Sequence, residues 1–206
     1  MNNGGFMRER YRSQETKERF KKAFFALYAE RKIETITIKE VADLAGFNRG
    51  TFYLYYKSIY DLLQKTEQEL LDTFAKRIDF NVKVYLGLLD APSEADYEDM
   101  QDNFLEHTEF VRILNSENGD PRFKNRMKNI IKDAYRKYIS PDNTVKVSKF
   151  EYLLEYLVEA NMSIIQYWLM NRDKDLPRIT LKDVGEIIHF VDENGFKKAF
   201  ETFADK

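Results

Sequence analysis

Cysteine is absent from this 206-residue chain, and histidine (two), tryptophan (one), proline (four) and glycine (eight) are scarce. Without thiols there are no disulfides, no thiolate metal sites and no cysteine nucleophile. His107 and His189 are the whole imidazole complement. Two histidines and no glycine-rich phosphate loop leave no visible catalytic triad, multi-histidine metal centre or nucleotide cradle. No enzymatic activity, metal or cofactor is therefore expected. Long charge-free apolar runs are also missing, and the opening MNNGGFMRERYR has charges with no apolar core behind them. Neither a membrane span nor a signal peptide is expected, which makes the cytoplasm the default location.

What is present is 43% hydrophobic content, enough for a packed core, in a length that suits one or two domains. The formal net charge of −2 conceals an asymmetry. Residues 1–60 carry twelve Lys and Arg against seven Asp and Glu, and residues 61–206 carry twenty-one against twenty-eight. The N-terminal part is thus the electropositive one, at plus five against minus seven. Arg8, Arg10 and Arg12 precede the first helical pattern and are expected in a flexible basic arm over residues 1–14.

The densest signal is Thr37 to Leu63, TIKEVADLAGFNRGTFYLYYKSIYDLL. Thr37 and Glu40 have capping-box spacing, which starts a helix at Thr37. Ile38, Val41, Ala42 and Ala45 then form one apolar stripe. Gly46 stands where a left-handed residue ends such a helix, Phe47 packs the turn, and Asn48 caps the next helix. That second helix is expected over about Arg49 to Tyr56, with Phe52 and Tyr56 facing inward at i, i+4. Arg49, Gly50 and Tyr53 share one outward sector, and Thr51 and Tyr55 another. Cationic, hydroxyl and small groups around a helix start suit a DNA groove: Arg49 can pair with guanine and Gly50 permits close approach. Lys57 adds a cation for the phosphate backbone, and Ser58 with Asp61 repeats the capping signature. Four aromatics in five residues, Phe52, Tyr53, Tyr55 and Tyr56, cannot all be buried on so short a helix, so at least two should be exposed beside Arg49 and Lys57.

Residues 16–63 resemble the DNA-binding domain of the TetR family of transcriptional regulators. The resemblance lies in Thr37, Val41-Ala42, Ala45-Gly46, Asn48, Gly50-Thr51-Phe52-Tyr53 and Lys57-Ser58. It implies that Arg49, Gly50, Thr51 and Leu54 lie in the major groove and that Thr37, Tyr53, Tyr55 and Lys57 meet phosphates. Asn48 stands in place of the family's serine or threonine cap, and Ile59-Tyr60 in place of its usual Lys-Glu pair, which removes a charge near the backbone. The run LNSENGDPRF, Leu114 to Phe123, together with Trp168, resembles a C-terminal domain found in a subset of TetR-like regulators.

The remaining chain shows helical periods and no period-2 strand. Thr16 to Arg31 carries Phe20, Phe24, Leu27 and Tyr28 at helical spacing. A long helix is expected from Ser58 through Phe74, with a break over Leu88 to Asp96 around Pro92. A stripe from Tyr97 to Leu114 should end before Asn118-Gly119, and Asp120-Pro121 starts a helix that Ser140-Pro141-Asp142 stops. Val147 to Asn171 is the strongest amphipathic helix, about 35 Å long at 1.5 Å per residue. On it Glu151, Glu155 and Glu159 read as a solvated edge. Thr180 and Asp183 open another helix, which Asn194-Gly195 is expected to close.

The fold class expected is therefore all-α: a three-helix helix-turn-helix domain over residues 15–60 and a helical bundle over residues 61–206 for ligand binding and dimerisation. The TetR resemblance implies a homodimer paired through C-terminal helices, with the long helix and those after Thr180 as candidates. Phe104, His107, Tyr135, Tyr138, Tyr156, Asn161 and Trp168 are candidate pocket residues, and an aromatic-lined cavity suits a flat or apolar molecule. For His107, Asn161 and Trp168 the competing readings are a satisfied core histidine, a buried amide fixing register, and a packed indole. The expected function is a repressor released from a palindromic double-stranded DNA operator by a small-molecule effector. The rival is a coactivator or adaptor that acts through a protein partner with little direct DNA binding.

Overall fold

The computed structural model describes residues 3–90, 107–139, 144–171, 179–199 and 202. Among these every regular element is helical. The order is α1 (Asn3–Glu30), a 3-10 turn (Ile33–Thr35), α2 (Ile38–Ala45), α3 (Arg49–Tyr53), α4 (Ile59–Tyr85), α5 (Thr108–Leu114), α6 (Pro121–Tyr138), α7 (Thr144–Asn171), α8 (Leu181–Val191) and a π-helical turn (Asp192–Lys197). No described helix is long and apolar enough to cross a membrane.

The chain divides into two compact units, Met1–Leu70 with Ile113–Asp120, and Leu71–Arg112 with Pro121–Lys206. The division falls at Leu70/Leu71 rather than at residue 60, because the first turns of α4 bury Leu62, Leu63, Thr66 and Leu70 in the first unit. Residues 3–14 differ from the expected arm, being the opening turns of a 28-residue helix. Local bonds support that extension: the Thr16 hydroxyl donates to the Arg12 carbonyl at 2.8 Å, and Gln14 Nε2 donates to Glu18 at 3.1 Å.

In the first unit the aromatic stripe of α1 forms the core. Phe20, Phe24, Phe25 and Tyr28 are buried, with Val41 and Ala42 from α2 and Phe52 from α3. The Phe20 ring lies 5.2 Å from Phe47 and 5.3 Å from Phe52, the latter edge-to-face. Truncating either fully buried ring, Phe20 or Phe52, to alanine costs about 3–5 kcal/mol. Lys21 on α1 ties to α4 through Glu69 at 2.8 Å. Burial pulls its ammonium pKa down, but hydrogen bonds to Glu18 and Glu69 outweigh that and raise it. Desolvation beside Glu67 pushes the buried Tyr28 phenol up to about 12. Leu114 and Ile113 are buried in this unit too, and the chain turns sharply at Gly119, whose missing Cβ would stand 2.0 Å from the Leu114 carbonyl oxygen.

The second unit packs α6 against α7 and α7 against α8. Glu151, Glu155 and Glu159 are not merely a solvated edge, because each meets a cation from α6. Arg136 holds Glu151 with both Nε and Nη2, at 2.9 and 2.6 Å, while Lys132 pairs with Glu155 and Lys128 with Glu159. One index rises by four as the other falls by four, which is the register of antiparallel helices carrying complementary charge. Asp120-Pro121 starts α6 as expected, and α6 ends at Tyr138, ahead of Ser140-Pro141.

The expected stop at Asn194-Gly195 does not occur. The helix runs on from Val191 into the π-helical turn, with Asp192 at φ −65 and ψ −43. Among the described glycines only Gly46 and Gly87 have positive φ, so Gly195 supplies no left-handed cap. Gly87 (φ 69) does terminate α4, where Leu88 N–H returns to the Lys83 carbonyl at 2.8 Å.

Candidate nucleic-acid interface and effector region

The helix-turn-helix is built by its caps. Thr37 Oγ1 accepts from Glu40 N–H at 3.3 Å, and Glu40 Oε2 accepts from Thr37 N–H at 2.9 Å, closing the capping box. The Arg31 guanidinium at 2.7 Å, with the Thr37 donors, holds the Glu40 carboxyl down to about 2. Gly46 at φ 75 ends α2, and Phe47 N–H reaches the Ala42 carbonyl at 2.9 Å. Arg19 from α1 lies over the Phe47 ring at 4.6 Å from its centroid. Asn48 Oδ1 then accepts from Thr51 N–H at 2.8 Å and starts α3.

Helix α3 is shorter than expected, five residues ending at Tyr53, since Leu54 and Tyr55 are already in a turn. Phe52 and Tyr56 point inward and are buried, as the spacing required. Around them stands an exposed sector: Arg49, Gly50 and Lys57 are exposed, Tyr53 is 52% exposed and Leu54 79%. Thr51 and Tyr55 are half-buried. The Arg49 guanidinium, the Asn48 amide nitrogen, the Tyr53 hydroxyl and the Lys57 ammonium form no hydrogen bond or ion pair with the described residues. Those groups remain available to a partner. Thr37 and Thr51 hydroxyls are otherwise engaged, donating to Glu40 at 2.7 Å and to Asn48 at 3.2 Å. At the start of α4 the Asp61 carboxylate accepts from Lys57 N–H at 2.8 Å and from Lys65 at 3.0 Å. This helix end is thus filled by the chain's own anion.

The candidate pocket residues separate. Tyr135 on α6 is buried, its ring 6.1 Å from Tyr85 and 5.9 Å from Phe196. Asn161 on α7 donates to Asp192 Oδ2 at 2.9 Å. Tyr138 donates to Asp79 at 2.6 Å, in a cluster where Lys137, this hydroxyl and Lys83 hold the Asp79 carboxyl well below its usual range. Trp168 donates to the Ile179 carbonyl at 2.8 Å. His107 is half-buried in the turn before α5. Tyr156 is 64% exposed on α7, in line with the exposed Tyr152. Phe104 lies outside the described residues.

Asp192 was the residue that sequence reasoning missed. It is 6% exposed and accepts one hydrogen bond on its carboxylate, while its backbone carbonyl accepts from the Tyr85 hydroxyl at 3.1 Å. Burial pushes its carboxyl up to about 6, against the opposing Asn161 bond and nearby His189. Its signal was present in the spacing: Val184, Ile188, Asp192 and Phe196 recur at four-residue steps, so Asp192 continues an inward stripe. Reading Asn194-Gly195 as a stop hid it.

Comparison with known proteins agrees with this geometry. Residues 22–66 match the model of the bacterial regulatory proteins of the tetR family, and residues 94–190 match a model of a transcriptional regulator C-terminal region. The chain is similar to the uncharacterised HTH-type transcriptional regulator YxbF of Bacillus subtilis (strain 168), at 24% identity over 173 residues. That alignment takes in 82% of this chain and 43% of the relative, so the chain spans less than half the relative's length. A capped helix-turn-helix with an exposed Arg49–Lys57 sector, matched by one TetR model and followed by a matching C-terminal region, places this chain in the TetR family of transcriptional regulators.

Proposed function

We propose that this chain acts as a homodimeric, cytoplasmic repressor that binds a palindromic DNA operator and leaves it when a small molecule occupies the second unit. The observation that supports DNA binding most directly is the exposed sector of α3 and its flanks, where Arg49, Asn48, Tyr53 and Lys57 have unspent donors beside Gly50 and the apolar Leu54. In this reading Arg49 reads a base edge, Leu54 meets a thymine methyl, and Tyr53, Tyr55 and Lys57 hold phosphates. Thr37 and Thr51 join only by redirecting hydroxyls now donated within the chain.

Dimerisation is supported by the apolar groups that α7 and α8 leave uncovered: Tyr152, Tyr156 and Tyr167 on one helix, Ile187, Phe190 and Val191 on the other. Exposed aromatic surface of this extent marks an interaction site. A twofold axis there would set two α3 helices on half-sites about 34–36 Å apart or a multiple of it. Helix α4 runs without interruption from the first unit into the second, which gives an effector a covalent route to that spacing.

Selection of bound sequences from a random double-stranded DNA pool, with the winner titrated at two salt concentrations, tests this. A palindromic winner with a steep salt slope is expected. Failure to enrich any sequence would instead support the adaptor reading, against which the unspent Arg49 and Lys57 side chains argue.

A further inference from the structure

Asp192 is a buried acid, 6% exposed, without a lysine or arginine partner among the described residues. The charged groups that bear on it are His189 on α8 and Glu193 in the π-helical turn, of opposite sign when His189 is protonated. From α7 it receives the neutral Asn161 amide, from α4 the Tyr85 hydroxyl on its backbone carbonyl, and from α6 the phenol of Tyr135. The Tyr135 hydroxyl, on a residue that is itself only 6% exposed, donates no hydrogen bond to any described residue. A carboxylate removed from water and left uncompensated is unfavourable unless a proton or a cation joins it.

The surroundings favour a cation. Tyr85, Tyr135 and Phe196 form a chain of edge-to-face rings beside Asp192, and aromatic faces attract ammonium groups. The cluster is not sealed, because Tyr85 and Asn161 are only half-buried. A π-helical turn begins at Asp192 itself, an element concentrated at functional sites. Residues 61–206 carry a net formal charge of −7, which raises the local concentration of cations.

We propose that the effector of this chain carries a protonated amine on a flat apolar body, with Asp192 as its counter-charge and Asn161 and Tyr135 as its polar neighbours. This deepens, and rests on, the reading of the second unit as an effector domain. Asp192 supplies the charge, Tyr135 a hydroxyl that either accepts from the ammonium or donates to the body, and the half-buried ring of Tyr85 supplies the apolar face.

The test uses the full chain and two probes of the same shape, 1-naphthylmethylamine and the neutral 1-naphthylmethanol, titrated by calorimetry without DNA at pH 7.5. A charge-assisted hydrogen bond makes the amine about tenfold tighter than the alcohol. In Asp192→Asn, checked for native helicity, the alcohol should bind as before and the preference should vanish. In the unaltered chain the preference should fade as pH drops below about 6, where the carboxyl takes up its proton. Should Asp192→Asn fail to fold, that pH series decides alone. Equal affinities, no amine binding, or a preference that survives both the substitution and acid overturns the proposal. The DNA selection is read separately. A chain that selects an operator but ignores the amine loses this proposal only, and one that binds the amine but no DNA loses the regulatory reading only.

Discussion

Asn161 and Asp192, thirty-one residues apart, are joined by a 2.9 Å hydrogen bond that fastens the long helix α7 to the π-helical turn after α8. An amide on an otherwise apolar helix face is thereby explained by a carboxylate that the same fold buries.

The burial of Asp192, which outweighs this hydrogen bond, sets a pH dependence. The Asp192 carboxyl stands at about 6 in the folded chain against 3.8 for an ordinary aspartate, so the folded state holds its proton more tightly than the unfolded chain does. The contribution of this carboxyl to stability is therefore fully present below about pH 4, falls as pH rises through about 6, and stays reduced above it. Asp192→Asn keeps an oxygen acceptor for Asn161 and removes the charge. The expected outcome is that the parent loses thermal stability between pH 4.5 and 7 relative to the variant, which should be the more stable at pH 7.5. Parallel melting curves across that range would show the buried charge to be compensated.

Two glycines differ in why they are needed. At Gly46 (φ 75) a Cβ meets the Arg19 guanidinium at 2.6 Å, a flexible group able to move, so Gly46→Ala should cost about 1–2 kcal/mol from the left-handed backbone. At Gly119 the Cβ meets the Leu114 carbonyl oxygen at 2.0 Å, which is backbone and cannot retreat alone. Gly119→Ala should be the worse of the two in urea denaturation.

On the DNA face, Arg49→Ala should cost about 1–3 kcal/mol on the selected operator and relax preference at one base pair, while Lys57→Ala should weaken all sequences alike and lower the salt slope by about one. Tyr53→Phe should resemble Lys57→Ala but more mildly, by about 1 kcal/mol, since it removes one neutral hydrogen bond. Binding isotherms at several salt concentrations distinguish the two classes. Parental behaviour in all three variants would move the interface away from α3.

The exposed tyrosines of α7 give a separate expectation. Tyr156→Asp places a charge on the uncovered aromatic face without touching the core and should turn a dimer into a monomer in sedimentation experiments, with helicity unchanged. A variant that stays dimeric would place the interface elsewhere.

The ladder between α6 and α7 should matter little to stability. Its carboxylates are half in solvent, and the Arg136–Glu151 pair, exposed on both sides, contributes about 0–1 kcal/mol. Arg136→Ala should be mildly destabilising at low salt and indistinguishable from the parent in molar salt. The ladder's role is register: swapping Lys132 and Glu155 should restore what either single charge reversal loses.

The caps and stripes of the helix-turn-helix and the start of α6 were legible because each depends on neighbours within four residues. Thr37 with Glu40, Asn48 with Thr51, Gly46 at the turn and Pro121 at a helix start are local chemistry, and the structure keeps every one. The family resemblance was carried by the same short-range pattern. Helix lengths were less legible: α1 reaches back to Asn3 and α3 stops at Tyr53, since the end of a helix is set by tertiary packing as well as by propensity.

What the sequence by itself determined about this protein is the helical class, the helix-turn-helix and the residues that cap it, because a period of 3.6 and a capping side chain act within one or two turns of the chain. Only the tertiary structure decided which charges meet and which are buried. Glu151, Glu155 and Glu159 acquire partners because α6 returns antiparallel to α7, and Asp192 loses its water because α8 continues past Asn194-Gly195. Those outcomes depend on contacts between residues far apart in sequence, where distance and desolvation rather than local spacing fix the energy.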